Sequence, residues 1–247
     1  MTGDSRGSTP FAAQLLTYAK RMDIALAEEQ AERLHRFWRF LRQENERHNL
    51  TAIVDDGEAV IKHFLDSLTV LLTTELEPGS RVVDVGSGAG FPGIPLAVVR
   101  PEADVFLVES TGKKADFLQR AKEQLGLDNV RVVHSRAEDA AHDPGYRERF
   151  DVAVARALAP LPVACEWCLP FVKVGGRFVA MRGAAGLEDL EAARGAMAIL
   201  GAEAAEVREL DLPEGAGRRV LIVMQKVKPV GKEYPRRGGQ ARRKPLG

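Results

Sequence analysis

The sequence predicts an α/β fold: a mostly parallel, doubly wound sheet of about seven strands with helices on both faces, preceded by an N-terminal helical subdomain. Three observations carry that prediction. From Arg81 onward, short apolar runs alternate with segments of helix length, the signature of strand-helix-strand units. Those runs are apolar at successive positions rather than alternate ones, as in a sheet covered on both faces. The first of them leads directly into a glycine-rich loop that opens a helix, and doubly wound sheets bind ligands beside such loops, beyond the carboxyl ends of their strands. With 247 residues, 45% hydrophobic and 28% charged, the chain can bury a full α/β core and an appendage without disulfide or metal staples.

Taken in order, residues 1–10 are polar and offer no apolar segment suited to export, and two cysteines make no disulfide framework, so the expected location is the cytoplasm. Phe11, Leu15 and Leu16 mark a short helix. Leu34, Phe37, Trp38 and Leu41 recur at i, i+3, i+4 and i+7 and predict an amphipathic helix over 27–47. Val60, Ile61, Phe64, Leu65, Leu68, Leu71 and Leu72 stripe another that ends before Pro78-Gly79. These make a helical subdomain, 1–78. Strands are predicted at 82–85, 105–108, 130–133, 152–155, 177–180 and 220–223, with helices at 113–125 and 187–200, in a sheet domain spanning 79–228. The most apolar run, Gly93–Val99, is far too short to cross a bilayer and contains Pro95, so no membrane association is expected. Residues 229–247, rich in Gly, Pro and Arg, are expected to be unordered in isolation.

The formal charge of +0 conceals an asymmetry. From Lys226 to the end, eight cations face the single anion Glu233, a net +7 that leaves −7 for residues 1–225. A basic end on an acidic body suggests a polyanionic partner met through the tail.

Chemistry concentrates in Asp84-Val85-Gly86-Ser87-Gly88-Ala89-Gly90-Phe91-Pro92-Gly93. Glycines there let the backbone approach a ligand as a Cβ would not. Gly88-x-Gly90-x-x-Gly93 satisfies the dinucleotide fingerprint. The longer run Asp-x-Gly-x-Gly-x-Gly is similar to that of S-adenosylmethionine-dependent methyltransferases of the Rossmann-like class, and there Asp84 would set negative charge near a cationic ligand. Glu109 ends the second strand, where an acid can accept hydrogen bonds from both ribose hydroxyls. Ala137 and Glu138, after the third strand, could meet an adenine edge with a main-chain amide and a carboxylate. Arg156, after the fourth, could hold a carboxylate or phosphate, or pair with a neighbouring acid. Lys113 and Lys114 form either a solvated face or a phosphate contact. Cys165-Glu166-Trp167-Cys168 has redox-motif spacing, but core-facing thiols on a helix are the favoured reading, and no second pair completes a metal site. His63 and Asp66 share a helical face without the makings of a catalytic triad.

The blocks Asn49-Leu50-Thr51, His63-Phe64-Leu65-Asp66-Ser67-Leu68, the glycine loop with its continuation Ile94-Pro95-Leu96, Lys113-Lys114-Ala115-Asp116-Phe117-Leu118, Arg156-Ala157 and Tyr234-Pro235-Arg236-Arg237-Gly238-Gly239 span nearly the whole chain. In them the chain resembles the bacterial 16S ribosomal RNA guanine-N7 methyltransferase family (RsmG, also called GidB, glucose-inhibited division protein B). The resemblance implies S-adenosyl-L-methionine as cofactor, contacted by Gly86, Phe91, Ala137, Glu138 and Arg156. Gly88 and Gly90 belong to the same loop, and Glu109 fits the ribose-binding acid of the wider class. It further implies a 16S rRNA substrate, free or within the 30S subunit, and no stable protein partner. Guanine N7 carries an in-plane lone pair and no proton, so no catalytic acid or base is expected and rate would come from alignment and electrostatics. Lys113, Lys114, Arg236, Arg237, Arg242 and Arg243 are the expected RNA contacts. Other readings are methylation of another RNA position or a small molecule, a nicotinamide-dependent oxidoreductase, and a non-catalytic RNA-binding module.

Overall fold

The computed structural model describes residues 9–247; the expectation about the polar opening falls on residues 1–8 and so lies largely outside them. Seven strands form one sheet in the order β3-β2-β1-β4-β5-β7-β6. They are β1 (Arg81–Val85), β2 (Asp104–Glu109), β3 (Val130–His134), β4 (Phe150–Arg156), β5 (Val172–Arg182), β6 (Ala202–Asp211) and β7 (Arg218–Lys226). The pairs among β1 to β5 are parallel, and β7 runs antiparallel to both β5 and β6. Successive strands step outward from β1 to β3, then return to β4 on β1's other side. The order therefore reverses between β1 and β4, and a crevice opens above their carboxyl ends.

Alternation of side chains divides the core into two layers. Val82, Val105, Leu107, Val152, Val154 and Val223 point to one face, where they meet helices α1 (Pro10–Arg21), α2 (Glu28–His48), α5 (Gly93–Val99) and α6 (Gly112–Leu125). Val83, Phe106, Val108, Ala153, Phe178 and Ile222 point to the other, against α8 (Leu161–Cys168) and α9 (Gly186–Ile199). The N-terminal helices thus share a core with the sheet. Among the described residues no helix is long and apolar enough to cross a membrane, and no group of His, Cys, Asp or Glu is arranged to hold a metal ion.

Three features differ from the sequence reading. Strand β6 is an edge strand carrying Glu203, Glu206, Arg208 and Glu209; with one side open it needs no apolar run, so hydrophobicity does not reveal it. The stripe over 60–72 is not one regular helix. It runs through α3 (Asp56–Ala59), a π turn at Val60–Leu65, α4 (Asp66–Leu68) and a 3-10 turn at Thr69–Leu72.

The third difference is the tail, which is folded onto the body. Arg147 Nη1 and Nη2 donate to the carbonyls of Tyr234 and Gly231 at 2.8 and 2.9 Å. Arg236 pairs with the wholly buried carboxylate of Glu166 through its main-chain amide, Nε and Nη2, at 2.7, 2.9 and 2.6 Å. A short helix, α10 (Gln240–Arg243), then lies against α8. The partners of this segment sit some 70 to 90 residues away in sequence, which is why its composition alone reads as disorder.

Candidate functional site

The loop between β1 and α5 is built around Asp84. Its carboxyl is wholly buried, and Oδ2 accepts the Gly93 amide at 2.9 Å, giving the first turn of α5 the acceptor it otherwise lacks. A Cβ at Gly93 would collide with Leu107 and lie 2.7 Å from that same Oδ2, so only glycine lets helix and strand close. Asp84 Oδ1 has no hydrogen-bond partner among the described residues, and burial, opposed by the Gly93 amide, pushes the carboxyl up to about 7. Asp84 therefore lies beneath the loop and does not face the crevice as the sequence reading has it. Glu109 reaches across instead: Oε2 accepts the Gly88 amide at 3.0 Å and Oε1 the Thr111 amide at 2.7 Å.

Two cavities flank the end of β4. The first, of about 220 Å³, is walled by Val85, Gly86, Val108, Ser110, Ala137, Glu138 and Leu158, and by Trp167, Gly239 and Arg242. Glu138 is 6% exposed, yet its carboxylate has neither hydrogen bond nor ion pair among the described residues. Its oxygens are open to the cavity and free to accept hydrogen-bond donors from an occupant. Gly86 takes φ +77°, and a Cβ there would strike Leu158 on the opposite wall.

The second cavity, of about 610 Å³, is lined by Lys62, His63, Asp66, Arg156, Arg182, Asp189 and Arg219, among others. The π turn assembles it. At its end the Asp66 amide bonds to the Ile61 carbonyl, five residues back, which passes over the Lys62 carbonyl. That free oxygen accepts Arg156 Nη1 at 2.8 Å. Asp66, 2% exposed, accepts Arg156 Nη1 at 3.3 Å on one oxygen and Arg219 Nε at 3.0 Å on the other. The Phe91 ring stacks on His63 with centroids 4.4 Å apart and lies under the Arg156 guanidinium at 5.1 Å.

The protonation of His63 follows from its neighbours. Burial first, and Arg156 second, push its pKa down to about 3. Arg156 Nη2 can only donate to Nδ1, so the proton sits on Nε2 and goes to Thr51 Oγ1 at 2.8 Å. His63 is a neutral, fully engaged ring.

Of the sequence-predicted residues, Gly86, Ala137 and Glu138 line the first cavity, and Gly88 and Glu109 brace its loop. Phe91 and Arg156 stand on the side of the second cavity. Gly90 sits where a Cβ would press on Ile94 and Phe37, a packing position. Lys113 and Lys114 open α6, with no ion-pair partner among the described residues. Asp66, Arg219, Arg182 and Trp167 were not singled out for the site from sequence; only the His63 to Leu68 block carried a signal for Asp66. Cys165 and Cys168 are buried free thiols, as the core reading has them, with burial holding Cys165 up to about 12.

A family model described as GidB, rRNA small subunit methyltransferase G, matches residues 30–219. The chain is 44% identical over 228 residues to a "Ribosomal RNA small subunit methyltransferase G" of Pelotomaculum thermopropionicum, covering 92% of this chain and 95% of that one. It is 47% identical over 211 residues to the protein of the same description from Symbiobacterium thermophilum, covering 83% and 86%. Solved structures that share the fold include a point mutant of MtNAS, at TM-score 0.55 and 18% identity over 92% of this chain and 90% of that one. Another is a precorrin-6y C5,15-methyltransferase from Geobacter metallireducens, at TM-score 0.51 and 16% identity over 65% and 87%.

Proposed function

The chain belongs to the rRNA small subunit methyltransferase G (GidB) family, and from that footing we propose that it transfers a methyl group from S-adenosylmethionine to N7 of a guanine in 16S ribosomal RNA, in the cytoplasm. When bound, the cofactor supplies an electrophilic methyl on a sulfonium. The observation that supports the reading of the first cavity is the Glu138 carboxylate, which opens into it beside the glycine loop with no hydrogen bond among the described residues; it fits a nucleoside amino group, with the Ala137 main chain next to it. Gly86 supplies close approach, and Glu109 braces the loop by accepting the Gly88 amide.

The second cavity is the acceptor side of this proposal. Lys62, Arg156, Arg182 and Arg219 outnumber Asp66 and Asp189 on its wall, which suits a phosphate-bearing substrate. A guanine N7 lone pair needs no proton removed, and among the described residues the walls offer no free base: His63 is engaged with Thr51 and Arg156, Asp66 with two arginines and Asp189 with Arg182. What the residues do is orient. Arg156, fixed by the Lys62 carbonyl, Asp66 and the Phe91 ring, is held on the wall of the acceptor cavity, and alignment is the main source of rate for such a transfer. N7 lies on the edge that A-form helices hide in a deep, narrow groove, so the target guanine is unpaired or splayed out.

In this reading the helical part up to residue 78 roofs the acceptor cavity, 79–228 carries the cofactor site, and 229–247 is a docked basic segment. Lys113 and Lys114, together with Arg237, Arg242 and Arg243, are the proposed RNA contacts. Arg236 is removed from that set by its bonds to buried Glu166. The test is transfer of labelled methyl from S-adenosylmethionine to 30S subunits and to deproteinised 16S RNA from a strain lacking the modification. Label in either RNA form is expected, and the preferred form shows whether ribosomal proteins present the target. Cofactor binding with no label in RNA would send the acceptor back to small molecules.

A further inference from the structure

Where α2 packs along α6, a groove of about 250 Å³ is lined by Arg36, Arg39, Phe40, Gln43 and Gln124. None of these residues belongs to the two cavities beside β4. Two other arginines of α2 are spent locally: Arg33 donates to the Leu125 and Gly126 carbonyls at 2.6 and 2.7 Å, and Arg42 pairs with Asp56 at 2.8 Å. Arg36 and Arg39, by contrast, are exposed and have neither hydrogen bond nor ion pair among the described residues. The acid one turn before Arg36, Glu32, already accepts the Thr9 amide at 2.6 Å. Like charges one turn apart on a helix repel, so the pair forms a local positive spot on a body of negative net charge. Phe40 is half-buried, its ring held by stacking on wholly buried Phe117, with centroids 5.6 Å apart and planes 11° apart. Gln43 and Gln124 are exposed amides without hydrogen bonds among the described residues, each able to donate and to accept.

Guanidinium groups for phosphate, an aromatic ring for a base and amides for a base edge are the chemistry by which proteins hold single-stranded RNA. We propose that this groove is a second RNA-binding site, which takes an unpaired nucleotide other than the target guanine: Arg36 and Arg39 hold its phosphates, the base packs on Phe40, and Gln43 and Gln124 meet the base edge. Duplex RNA suits the groove less, because paired bases stack on one another and do not splay out onto a protein ring. Helix α2 links the groove to the acceptor cavity. Near its C-terminal end Asn45 accepts the Leu50 and Thr51 amides at 2.6 and 2.8 Å, and Thr51 Oγ1 accepts from His63 on the acceptor wall. The helix rises about 14 Å from Arg36 to Asn45, a span short enough for one RNA strand to engage both sites. This inference rests on the reading of RNA as substrate and adds a contact that the transfer chemistry itself does not require.

The test uses the full-length protein with Arg36→Ala and Arg39→Ala combined, with Phe40→Leu alone, and with a control of equal charge loss, Arg177→Ala and Arg194→Ala on β5 and α9. Deproteinised 16S RNA is titrated by filter binding between about 50 and 200 mM salt, with S-adenosylhomocysteine affinity and melting temperature recorded to confirm folding. The arginine pair is expected to weaken RNA binding and lower the slope of log affinity against log salt by about 1.4, as for two phosphates of a single strand. Phe40→Leu should weaken RNA binding about fivefold or more with the slope unchanged. The control should match the parent, and every variant should bind S-adenosylhomocysteine as the parent does. If the arginine pair and Phe40→Leu both bind RNA as the control does, the proposal is overturned. A loss from the arginine pair with none from Phe40→Leu marks general charge attraction and overturns the nucleotide site too. Failure of the unsubstituted protein to bind 16S RNA overturns the substrate reading and this inference together. RNA that is bound, lost in both variants and never methylated leaves this site standing and removes only the acceptor.

Discussion

Asp84 gives up a solvated carboxylate to brace a turn, and its chemistry makes that measurable. Its pKa in the folded chain, about 7, lies above the ordinary 3.8, so the folded state keeps a proton that the unfolded chain releases. Stability from this group is therefore undiminished below about pH 4, falls as pH rises, and is at its lowest above 7. Asp84→Asn retains an acceptor for the Gly93 amide and has nothing to titrate. Its stability relative to the parent should grow between pH 4 and 7, by up to about 4 kcal/mol, in urea unfolding followed at several pH values; a difference that does not change with pH would contradict the assignment. Glu138 is the opposite kind of residue, its carboxylate open to the first cavity with no hydrogen bond among the described residues. Glu138→Ala should weaken S-adenosylhomocysteine binding about tenfold while leaving the melting temperature unchanged or raised. At this scale the sequence was informative where chemistry is local. The glycine loop and Ala137-Glu138 were readable from their place after strands. The partner of Asp84 was not, because whether a carboxyl faces ligand or backbone depends on how the loop folds back over it.

Elements were legible in proportion to how regular their burial is. Strands β1, β2 and β4 have apolar side chains on both faces, and α2 shows a clean stripe, so their sequences announce them. Edge strand β6 and the π turn at Val60–Leu65 do not, since one has an open side and the other keeps a helical stripe while its hydrogen bonds reach five residues back. That shift matters for function, because it frees the Lys62 carbonyl for Arg156 and sets Asp66 between two arginines. Asp66→Ala should leave both guanidinium groups without their buried acid and destabilise the protein by about 3 kcal/mol or more in denaturant unfolding. Methyl transfer should fall further than S-adenosylhomocysteine binding, because the first cavity does not include Asp66. Equal loss of binding and transfer in a folded variant would place Asp66 with the cofactor instead.

For the whole molecule, the charge asymmetry seen in the sequence survives only in part. Lys226 is wholly buried and paired with Glu148 at 2.9 Å, and Arg236 is spent on Glu166, so the basic end offers fewer free cations than its composition promises. It is also part of the body, and shortening the chain after Lys226 would strip Glu166 of its partner and open the first cavity. Truncation is thus expected to impair cofactor binding as well as RNA binding, where composition alone pointed to RNA only. In the proposed reading, RNA attraction then falls on local groups such as Lys113 and Lys114. Reversing both to Glu should weaken 16S RNA binding and lower the slope of log affinity against log salt by roughly 1.5, with S-adenosylhomocysteine affinity unchanged, as read by filter binding between about 50 and 200 mM salt. The most direct test is where the methyl group goes. RNA methylated by the enzyme is reduced with borohydride and treated with aniline, which cuts the chain at N7-methylguanine, and the cut sites are mapped by primer extension. One strong cut at a single unpaired guanine of 16S RNA is predicted; label retained in RNA without any cut would put the methyl on another atom and contradict a site built to align a lone pair without a base.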